Sequence, residues 1–298
     1  MKTTSSILTP SVATLKALLA LAAILISLDA AAAPCDNPAQ LRFSFVPQGD
    51  VRNDTAAFQP LIERVQELAG KPVSIVTPSS YASVIEGLQA GAIDFALLGA
   101  ASYAAAKKAD PDIMVFATFF KKGGAFDSDG TFYNSVLVTK AGGSFNDIGS
   151  LRGATLALTD PNSTSGYLVP HHGFPKASGQ ALGSYFGKIV YAGDHDHAAL
   201  AVLKGQVDAA FVASFHLSDL VRAGKAKQSD FKEVWRSEPI PREPFVYRNR
   251  LCAPIKEQII SVFLKSSAEQ NKSILDRFQA QRFVPMNDGD YRMIRELY

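Results

Sequence analysis

Short apolar runs alternate with longer amphipathic stretches over most of this chain, and this alternation restricts the fold more than any other feature. The first unit consists of Leu41–Val46, an expected strand, then Ala56–Leu68, a helix with its apolar residues on one face, then Pro72–Thr77, a second strand. A strand-helix-strand order places the two strands parallel in one sheet. The pattern therefore predicts an α/β protein.

The same alternation continues downstream, and a second set of strands begins at Ser135. Further strands are predicted at Ala92–Leu98, Ile113–Phe120, Ser135–Thr139, Thr155–Leu158 and Lys188–Tyr191. Further helices are predicted at Tyr81–Ala90, Ser102–Ala109, Ser165–His172, His197–Leu203, Pro254–Leu264 and Ser267–Gln279.

A short internal similarity favours two comparable lobes. The segment Leu88–Ala96 (LQAGAIDFA) resembles Leu203–Ala210 (LKGQVDAA), and each copy has a helix end, a glycine turn and a buried strand that follows an aspartate. Chance agreement is the alternative, because the motif is short and such punctuation is common. A genuine repeat means two similar lobes.

The last part of the chain has predicted helices but too few strands for a third domain. We therefore expect it to return to the first lobe, which comprises residues 34–137 and 244–298, while residues 138–243 form the second lobe. The chain then crosses between the lobes near Val138 and near Pro239–Pro244. Two crossings between two lobes make a hinge.

The N-terminal residues 1–33 have a different composition. Lys2 and Lys16 precede the apolar run Ala17–Leu28, and the small residues Ala30–Ala33 follow it. This is the three-part layout of a secretory signal peptide, and the run is too short for a comfortable membrane span. We expect these residues to be removed on export, with a retained amphipathic helix as the alternative.

The chain has two cysteines, Cys35 and Cys252. Pro34 departs from the small-residue pattern that precedes a lipid-anchored cysteine, so we expect a soluble product. In an exported chain, two cysteines are compatible with one disulfide that joins the mature N-terminus to a late segment. Two free thiols are the alternative.

Charge argues against a nucleic-acid partner. The chain has 30 Lys and Arg against 28 Asp and Glu, for a net charge of +2. Binding to a polyphosphate backbone usually requires a clear basic excess. The sequence also lacks the pattern GxxxxGK[ST], so nucleotide hydrolysis has no support, and we expect no cofactor.

The stretch Thr155–Pro170 (TLALTDPNSTSGYLVP) carries the clearest sign of function. An apolar strand runs into a turn signal, and Ser163, Thr164 and Ser165 then stand beside Gly166 where a helix begins. A helix start offers free N–H groups and the positive end of the helix dipole. Together with three hydroxyls, these can satisfy a tetrahedral oxyanion without a cation. A simple N-cap is the alternative, but a cap uses one side chain.

The segment DPNSTSGYLVP closely resembles the ligand-binding motif of the phosphonate/phosphite/phosphate substrate-binding proteins of ABC transporters, and the wider pattern is similar over nearly all of the mature chain. The resemblance implies a type II periplasmic-binding-protein fold, in which two α/β lobes, each a mixed sheet flanked by helices, close on the ligand. The residues that it implies as ligand contacts are Ser163, Thr164, Ser165, Tyr81, Tyr133 and His195.

The two tyrosines suit such a role chemically. Tyr81 opens a predicted helix and Tyr133 lies at the lobe crossing, so each can present a phenolic donor to a cleft. Ordinary core packing is the alternative for both.

His195 can donate from both ring nitrogens when it is charged, and a bound oxyanion favours the charged state. Asp194, Asp196 and His197 surround it in the sequence. A metal site is the alternative, but the spacing matches no standard ligand pattern, and we expect no metal.

The chain also departs from the family that it resembles. Where members commonly have a carboxylate that recognises a ligand's amino group or acidic proton, this chain has Ala213 and Phe215, which disfavours an aminoalkylphosphonate. Glu243 falls where the family often has an acidic residue, and its carboxylate can accept a hydrogen bond from a P–OH group. An exposed surface glutamate is the alternative.

The resemblance implies a periplasmic protein that is not an enzyme. We expect a monomer that captures a small phosphorus oxyanion, either phosphite, phosphate or a small phosphonate, and delivers it to a membrane permease. One alternative is a receptor for a signalling partner. Another is a phosphatase-type hydrolase with a serine nucleophile and His195 as base, although no metal set or oriented Ser-His-Asp arrangement is evident.

Overall fold

The computed structural model of the protein describes residues 34–47 and 49–298. The expected signal peptide, residues 1–33, lies outside the described residues. The account below concerns the compact unit from Asp36 to Tyr298. Within the described part of the chain, no helix is long and apolar enough to cross a membrane.

The strands form two mixed sheets and one small two-stranded sheet. In chain order they are β1 (Leu41–Phe45), β2 (Val73–Ile75), β3 (Phe95–Leu97), β4 (Ile113–Lys121), β5 (Phe132–Tyr133), β6 (Ser135–Lys140), β7 (Thr155–Leu158), β8 (Lys188–Tyr191), β9 (Ala209–Ala213), β10 (Phe231–Arg236), β11 (Ile240–Pro241), β12 (Phe245–Arg248) and β13 (Ala280–Pro285).

The helices connect these strands. They are α1 (Val51–Ala69), α2 (Tyr81–Gln89), α3 (Ala100–Ala109), a π-helix (Thr164–Leu168) that continues into α4 (Val169–Ser178), α5 (Leu182–Tyr185), α6 (His195–Leu203), α7 (Ser214–Arg222), α8 (Ala253–Leu264), α9 (Lys272–Arg277) and α10 (Arg292–Arg295).

Each large sheet combines parallel and antiparallel strands. The first has the order β13-β4-β12-β3-β1-β2, and the second has the order β10-β6-β9-β7-β8. β1 pairs in parallel with β2 and β3, and β7 pairs in parallel with β8 and β9. The strands β12, β13, β6 and β10 pair antiparallel. The predicted α/β class with two mixed sheets is confirmed.

Helices cover both faces of each large sheet, which explains why the strands are almost continuously apolar. On the first sheet, α1, α8 and α9 enclose an aromatic core in which the ring centroids of Phe43 and Phe58 lie 4.7 Å apart. Helices α2, α3 and α10 cover its other face. On the second sheet, α6 and α7 cover one face, and α4 and α5 cover the other.

The internal similarity has the same geometry in both copies. The Asp94 carboxylate accepts a hydrogen bond from the backbone N–H of Arg42 at 2.9 Å, and Asp208 does the same for Thr155 at 2.7 Å. The glycine turn before each aspartate has a left-handed φ, +68° at Gly91 and +67° at Gly205. Each aspartate therefore anchors its strand to the parallel neighbour in the same way.

Several element limits differ from the sequence prediction. Helix α1 begins at Val51, well before the predicted Ala56, because the Asp50 side chain caps it by accepting from the N–H of Asn53. The predicted helix Ser267–Gln279 was wrong over much of its length, since only Lys272–Arg277 is α-helical. Gln279 adopts a left-handed φ of 51°, and the chain then enters the unpredicted strand β13.

The chain passes between the large sheets at the small sheet, where β5 pairs antiparallel with β11. β4 lies in the first sheet and β6 in the second, whereas β10 lies in the second and β12 in the first. Val138 lies inside β6, so the first crossing precedes the predicted position, and the second falls within Pro239–Pro244. The lobe limits themselves remain a prediction.

Candidate functional site

The serine and threonine cluster follows β7, the central parallel strand of the second sheet. The Asp160 side chain accepts from the N–H of Asn162 at 2.7 Å, which forms the predicted turn. Ser163 then caps the helix, because its Oγ accepts from the N–H of Gly166 at 3.1 Å. The first turn is a π-helix rather than the expected α-helix, as shown by the bond from Leu168 N–H to Ser163 O at 3.0 Å.

Gly166 allows this helix start to lie against the end of β7. A Cβ atom at Gly166 would stand 1.9 Å from Thr159 Oγ1, far inside van der Waals contact. The glycine beside the hydroxyl cluster is therefore required by a close approach rather than by an unusual φ.

The three hydroxyls have different partners. Ser163 Oγ serves as the cap and also lies 3.4 Å from His195 Nε2. Thr164 Oγ1 accepts from the N–H of Ala101 at 2.8 Å. The buried Ser165 Oγ has no hydrogen-bond partner among the described residues. The role of a simple N-cap thus applies to Ser163, but it does not explain the hydroxyls of Thr164 and Ser165.

The Thr164 contact joins the two sheets, because Ala101 lies in the first turn of α3. A second link is close by, where Ser102 Oγ donates to the carbonyl of Asn162 at 3.0 Å. The hydroxyl cluster is accordingly enclosed, and Ser163, Thr164 and Ser165 are each at most 2% exposed.

Tyr81 is the first residue of α2, held there by a capping box between Ser80 and Ser83. Its hydroxyl is buried and makes no hydrogen bond within the described part of the chain. Burial raises the pKa of Tyr81 well above its usual value, and the negative charge of Asp160 raises it further. The side chain therefore presents a neutral phenol.

Tyr133 lies at the crossing strand β5 and is also buried. Burial, followed by the negative charge of Glu243, raises the pKa of Tyr133 above its usual range, although the neighbouring side chains of Ser165 and Thr164 act in the opposite direction. Its hydroxyl thus belongs to the hydroxyl cluster, while its ring packs edge-on against Phe215 at 5.0 Å.

His195 is the first residue of α6 and is 3% exposed. Its Nδ1 accepts from the N–H of Ala213 at 3.1 Å, so in the neutral ring the proton sits on Nε2. Burial lowers the pKa of His195 well below its usual value, and the neighbouring His216 lowers it further. The expected charged imidazolium is therefore not what this geometry favours, because Nδ1 already serves as an acceptor.

The same geometry bears on the hydrolase alternative. A base for Ser163 would need an unprotonated nitrogen facing Ser163 Oγ, but the His195 lone pair is directed at the Ala213 N–H. His195 Nε2 is consequently a hydrogen-bond donor toward the cluster.

The acidic residues around His195 have other partners. Asp194 accepts from the N–H of His197 at 2.8 Å and lies 2.6 Å from His197 Nδ1. Asp196 lies 3.3 Å from Nδ1 of His216. The acidic residues and the histidine that neighbour His195 in the sequence thus interact with each other or with His216.

Glu243 is 3% exposed, so the surface alternative is wrong for this residue. It follows β11 at the second crossing, and its carbonyl accepts from Thr118 Oγ1 at 2.7 Å. Its carboxylate oxygen Oε2 has no partner in the residues described by the structure. The adjacent Arg242 is fully buried and pairs with Asp127 at 2.9 Å.

Comparison with known proteins places the chain in a family. The sequence model of the family described as "ABC transporter, phosphonate, periplasmic substrate-binding protein" matches residues 43–291. The chain belongs to this family. It is therefore a substrate-binding protein of an ABC transporter, and because its family is periplasmic, it is exported.

Curated relatives and a solved structure agree with this assignment. The chain is 29% identical over 263 residues to the phosphonates-binding periplasmic protein of Escherichia coli K12, covering 86% of this chain and 75% of the relative. It is 25% identical over 277 residues to the phosphate-import protein PhnD of Mycolicibacterium smegmatis, covering 87% and 85%. A binding-protein component of an ABC phosphonate transporter from Pseudomonas aeruginosa is similar with a TM-score of 0.77 at 25% identity, covering 88% and 86%.

The family-implied residues of this binding protein are all buried, and His195 lies 3.4 Å from Ser163. The charge of Glu243 acts on both Tyr81 and Tyr133. Sequence reasoning missed the N–H of Ala101, because the helix was expected to begin at Ser102. The signal was present in Leu98-Gly99-Ala100, where a buried strand runs directly into a helix start, as it does in Thr155–Gly166.

Cys252 directly precedes helix α8, and Cys35 directly precedes Asp36 in the sequence. Neither Cys35 nor Cys252 is a free thiol in the described part of the chain. The backbone N–H of Asp36 donates to Arg250 O at 2.7 Å, and the N–H of Cys252 donates to Asp36 O at 3.0 Å. The segment after Cys35 thus runs beside the segment that contains Cys252.

Proposed function

We propose that the buried region between Tyr81, Tyr133, His195 and the helix start Ser163–Ser165 binds a small phosphorus oxyanion: phosphite, phosphate or a small phosphonate. The observation that carries the proposal is a pair of buried hydroxyls with no hydrogen-bond partner among the described residues, Ser165 Oγ at this helix start and Tyr81 OH on the first residue of α2. Leaving a buried donor unsatisfied costs about 1–3 kcal/mol, so the arrangement suits an acceptor-rich ligand.

The donors suit an oxyanion without a cation in contact with it. The phenols of Tyr81 and Tyr133 stay protonated, since burial raises the pKa of each. Neutral His195 donates from Nε2, and the start of the π-helix adds backbone N–H groups. Neutral dipoles of this kind can bind and release an anion reversibly.

Glu243 makes the site selective for oxyanions that retain an acidic proton. Its unpartnered, buried Oε2 near the Tyr133 phenol can accept from a P–OH group but repels an oxyanion that has no proton to donate. Sulfate has no such proton at neutral pH, so we expect phosphorus oxyanions to be preferred.

Transport then follows from opening and closing about the two crossings. The links Thr164–Ala101 and Ser102–Asn162 join the two halves beside the site, so a ligand that contacts both halves favours the closed state. We infer that the monomeric protein delivers the bound anion to its membrane permease and performs no chemical step.

Calorimetric titration against phosphite, phosphate, methylphosphonate and sulfate tests the proposal. Ser165→Ala removes an unpartnered hydroxyl, so the fold should keep its stability while affinity falls about 10- to 100-fold, as expected for a lost hydrogen bond to a charged group. The exposed Ser184→Ala serves as the matched control and should bind like the wild type. Unchanged affinity in Ser165→Ala, or no binding of any phosphorus oxyanion, would overturn the proposal.

We further propose that the mature chain begins near Ala33 to Asp36 and that Cys35 is bridged to Cys252. Such a bridge would close a long loop, for which chain-entropy models give up to about 5 kcal/mol. Mass spectrometry of exported protein, intact and after non-reducing digestion, checks both points. A retained Met1, or alkylation of both thiols without reductant, would contradict them.

A further inference from the structure

A second pocket, with a cavity volume of about 260 Å³, lies next to the oxyanion site. Both halves of the molecule line it. The first half contributes the start of α1 with Lys121 and Phe278, and the second half contributes Phe215, His216 and Asp219.

Lys121 is the unusual group in this pocket. It is 3% exposed, and its ammonium lies 3.9 Å from the centroid of the Phe215 ring. Among the described residues, that ammonium has no hydrogen bond and no ion pair within 4.0 Å. Burial lowers the pKa of Lys121, with the charge of Glu243 acting in the opposite direction. A buried cation that no described carboxylate contacts directly is costly, so this position favours an anionic partner.

The acidic side chains that line the pocket are already engaged. The pairs are Asp54 with Arg277 at 2.7 Å, Asp196 with His216 at 3.3 Å and Asp219 with Arg222 at 2.5 Å. A fourth acid, Asp50, accepts two hydrogen bonds from Asn53. The buried Nε2 of His216 has no partner within the described residues. The pocket thus offers two nitrogens to a ligand, one on Lys121 and one on His216.

One layer of side chains separates this pocket from the oxyanion site. The Phe215 ring packs against Tyr133 at 5.0 Å, and the His216 ring stacks on His195 at 4.7 Å. Both rings also line the second pocket. A group attached to a bound phosphorus oxyanion would therefore reach Lys121 only if Phe215 or His216 moved aside.

We propose that this pocket is a carboxylate subsite, in which Lys121 Nζ binds the carboxylate beside the rings of Phe215 and His216. The carboxylate comes either from the substituent of the phosphorus oxyanion itself or from a separate small acid. The first source rests on the proposed function, and the second does not.

Calorimetry with two phosphonates of matched shape tests the subsite. Phosphonoacetate and isobutylphosphonate have similar bulk, but only the first carries a carboxylate. The wild type should bind phosphonoacetate at least about 10-fold more tightly, as expected for a charge-assisted contact. Lys121→Met should reduce this preference to under about 3-fold without changing methylphosphonate affinity. The control Lys225→Met, which removes a half-exposed lysine of the same pocket, should keep the preference.

A second arm identifies the source of the carboxylate. Acetate is titrated into protein saturated with methylphosphonate, and into protein without it. If the matched phosphonates bind equally but acetate binds in a manner lost in Lys121→Met, the subsite takes a separate acid. If the wild type shows neither tighter binding of phosphonoacetate than of isobutylphosphonate nor binding of acetate, the subsite proposal is overturned. This outcome is read from the wild type, so it holds even if Lys121→Met does not fold. Absence of binding by methylphosphonate, phosphate and phosphite would instead refute the proposed function, while the acetate arm would still test the pocket.

Discussion

The two halves of the molecule begin with the same sequence of elements but differ in how the first helix starts. In the first half, β1 leads into α1, which Asp50 caps and which has Asp54 in its first turn. In the second half, β7 leads into the π-helix, which Ser163 caps and which has no acidic residue in its first turn. Carboxylates already neutralise the first helix start, whereas hydroxyls and free N–H groups leave the second open to an external anion.

The helix that precedes the aspartate turn occupies an equivalent position in each half. Tyr81 opens α2 and His195 opens α6, so both halves reach the site from an equivalent position. Each of these helices ends shortly before a left-handed glycine, Gly91 or Gly205, and an aspartate that anchors the next strand. The shared topology therefore sets where each helix starts. The side chains at each start determine whether that position suits an anion.

Exchanging the two helix-capping residues should have the largest effect on anion affinity. Ser163→Asp keeps a capping oxygen but places a negative charge about 4 Å from the bound anion, which costs about 4 kcal/mol at an effective dielectric constant near 20, or roughly 1000-fold in affinity. The reciprocal Asp50→Ser should leave phosphorus-oxyanion affinity within about 3-fold, because Ser also caps well. Titration calorimetry measures both, and tight binding by Ser163→Asp would contradict the comparison.

Gly166→Ala should have the next largest effect, and on stability. The added Cβ would lie 1.9 Å from Thr159 Oγ1, so the helix start must shift, at a typical overpacking cost of about 1–3 kcal/mol. Gly183→Ala in α5 is the control, since a Cβ there meets nothing within 4 Å. Urea unfolding of the anion-free proteins should give a lower midpoint for Gly166→Ala than for Gly183→Ala. Equal midpoints would show that the close approach of Gly166 to Thr159 is not needed for stability.

The smallest expected effect is on the pH dependence of stability, which should involve His195 but not Tyr81. Because burial depresses the pKa of folded His195, its contribution to stability is complete above the unfolded value of about 6.5 and is lost as pH falls toward the folded pKa, by at most about 1.4 kcal/mol per pH unit. In His195→Asn, where an amide oxygen can still accept from Ala213, the unfolding free energy should fall less between pH 7 and 5.

Tyr81→Phe provides the matched comparison in the first half. The pKa of Tyr81 is raised, so its phenol does not titrate in this range, and the variant should retain the wild-type slope of stability against pH. A wild-type slope in His195→Asn would contradict the assignment of a buried neutral imidazole.

Local patterns in the sequence determined much of the fold. The limits of β7 and β8 were predicted as observed, since both are short apolar runs bounded by turn residues. The hydroxyl cluster, its helix start and the repeated aspartate turn could also be located, because the residues responsible lie within about one turn of each other.

The tertiary structure decided the features that depend on distant contacts. The strand β13 at the sheet edge and the burial of Glu243 follow from pairing with β4 and packing at the crossing, which no local period encodes. The protonation of His195 depends on the Ala213 N–H, and the burial of the Lys121 ammonium depends on two halves meeting at one pocket. Periodicity specifies which face of an element is apolar, but the partner that covers it is set by long-range packing, and so are the charge state and exposure of each site residue.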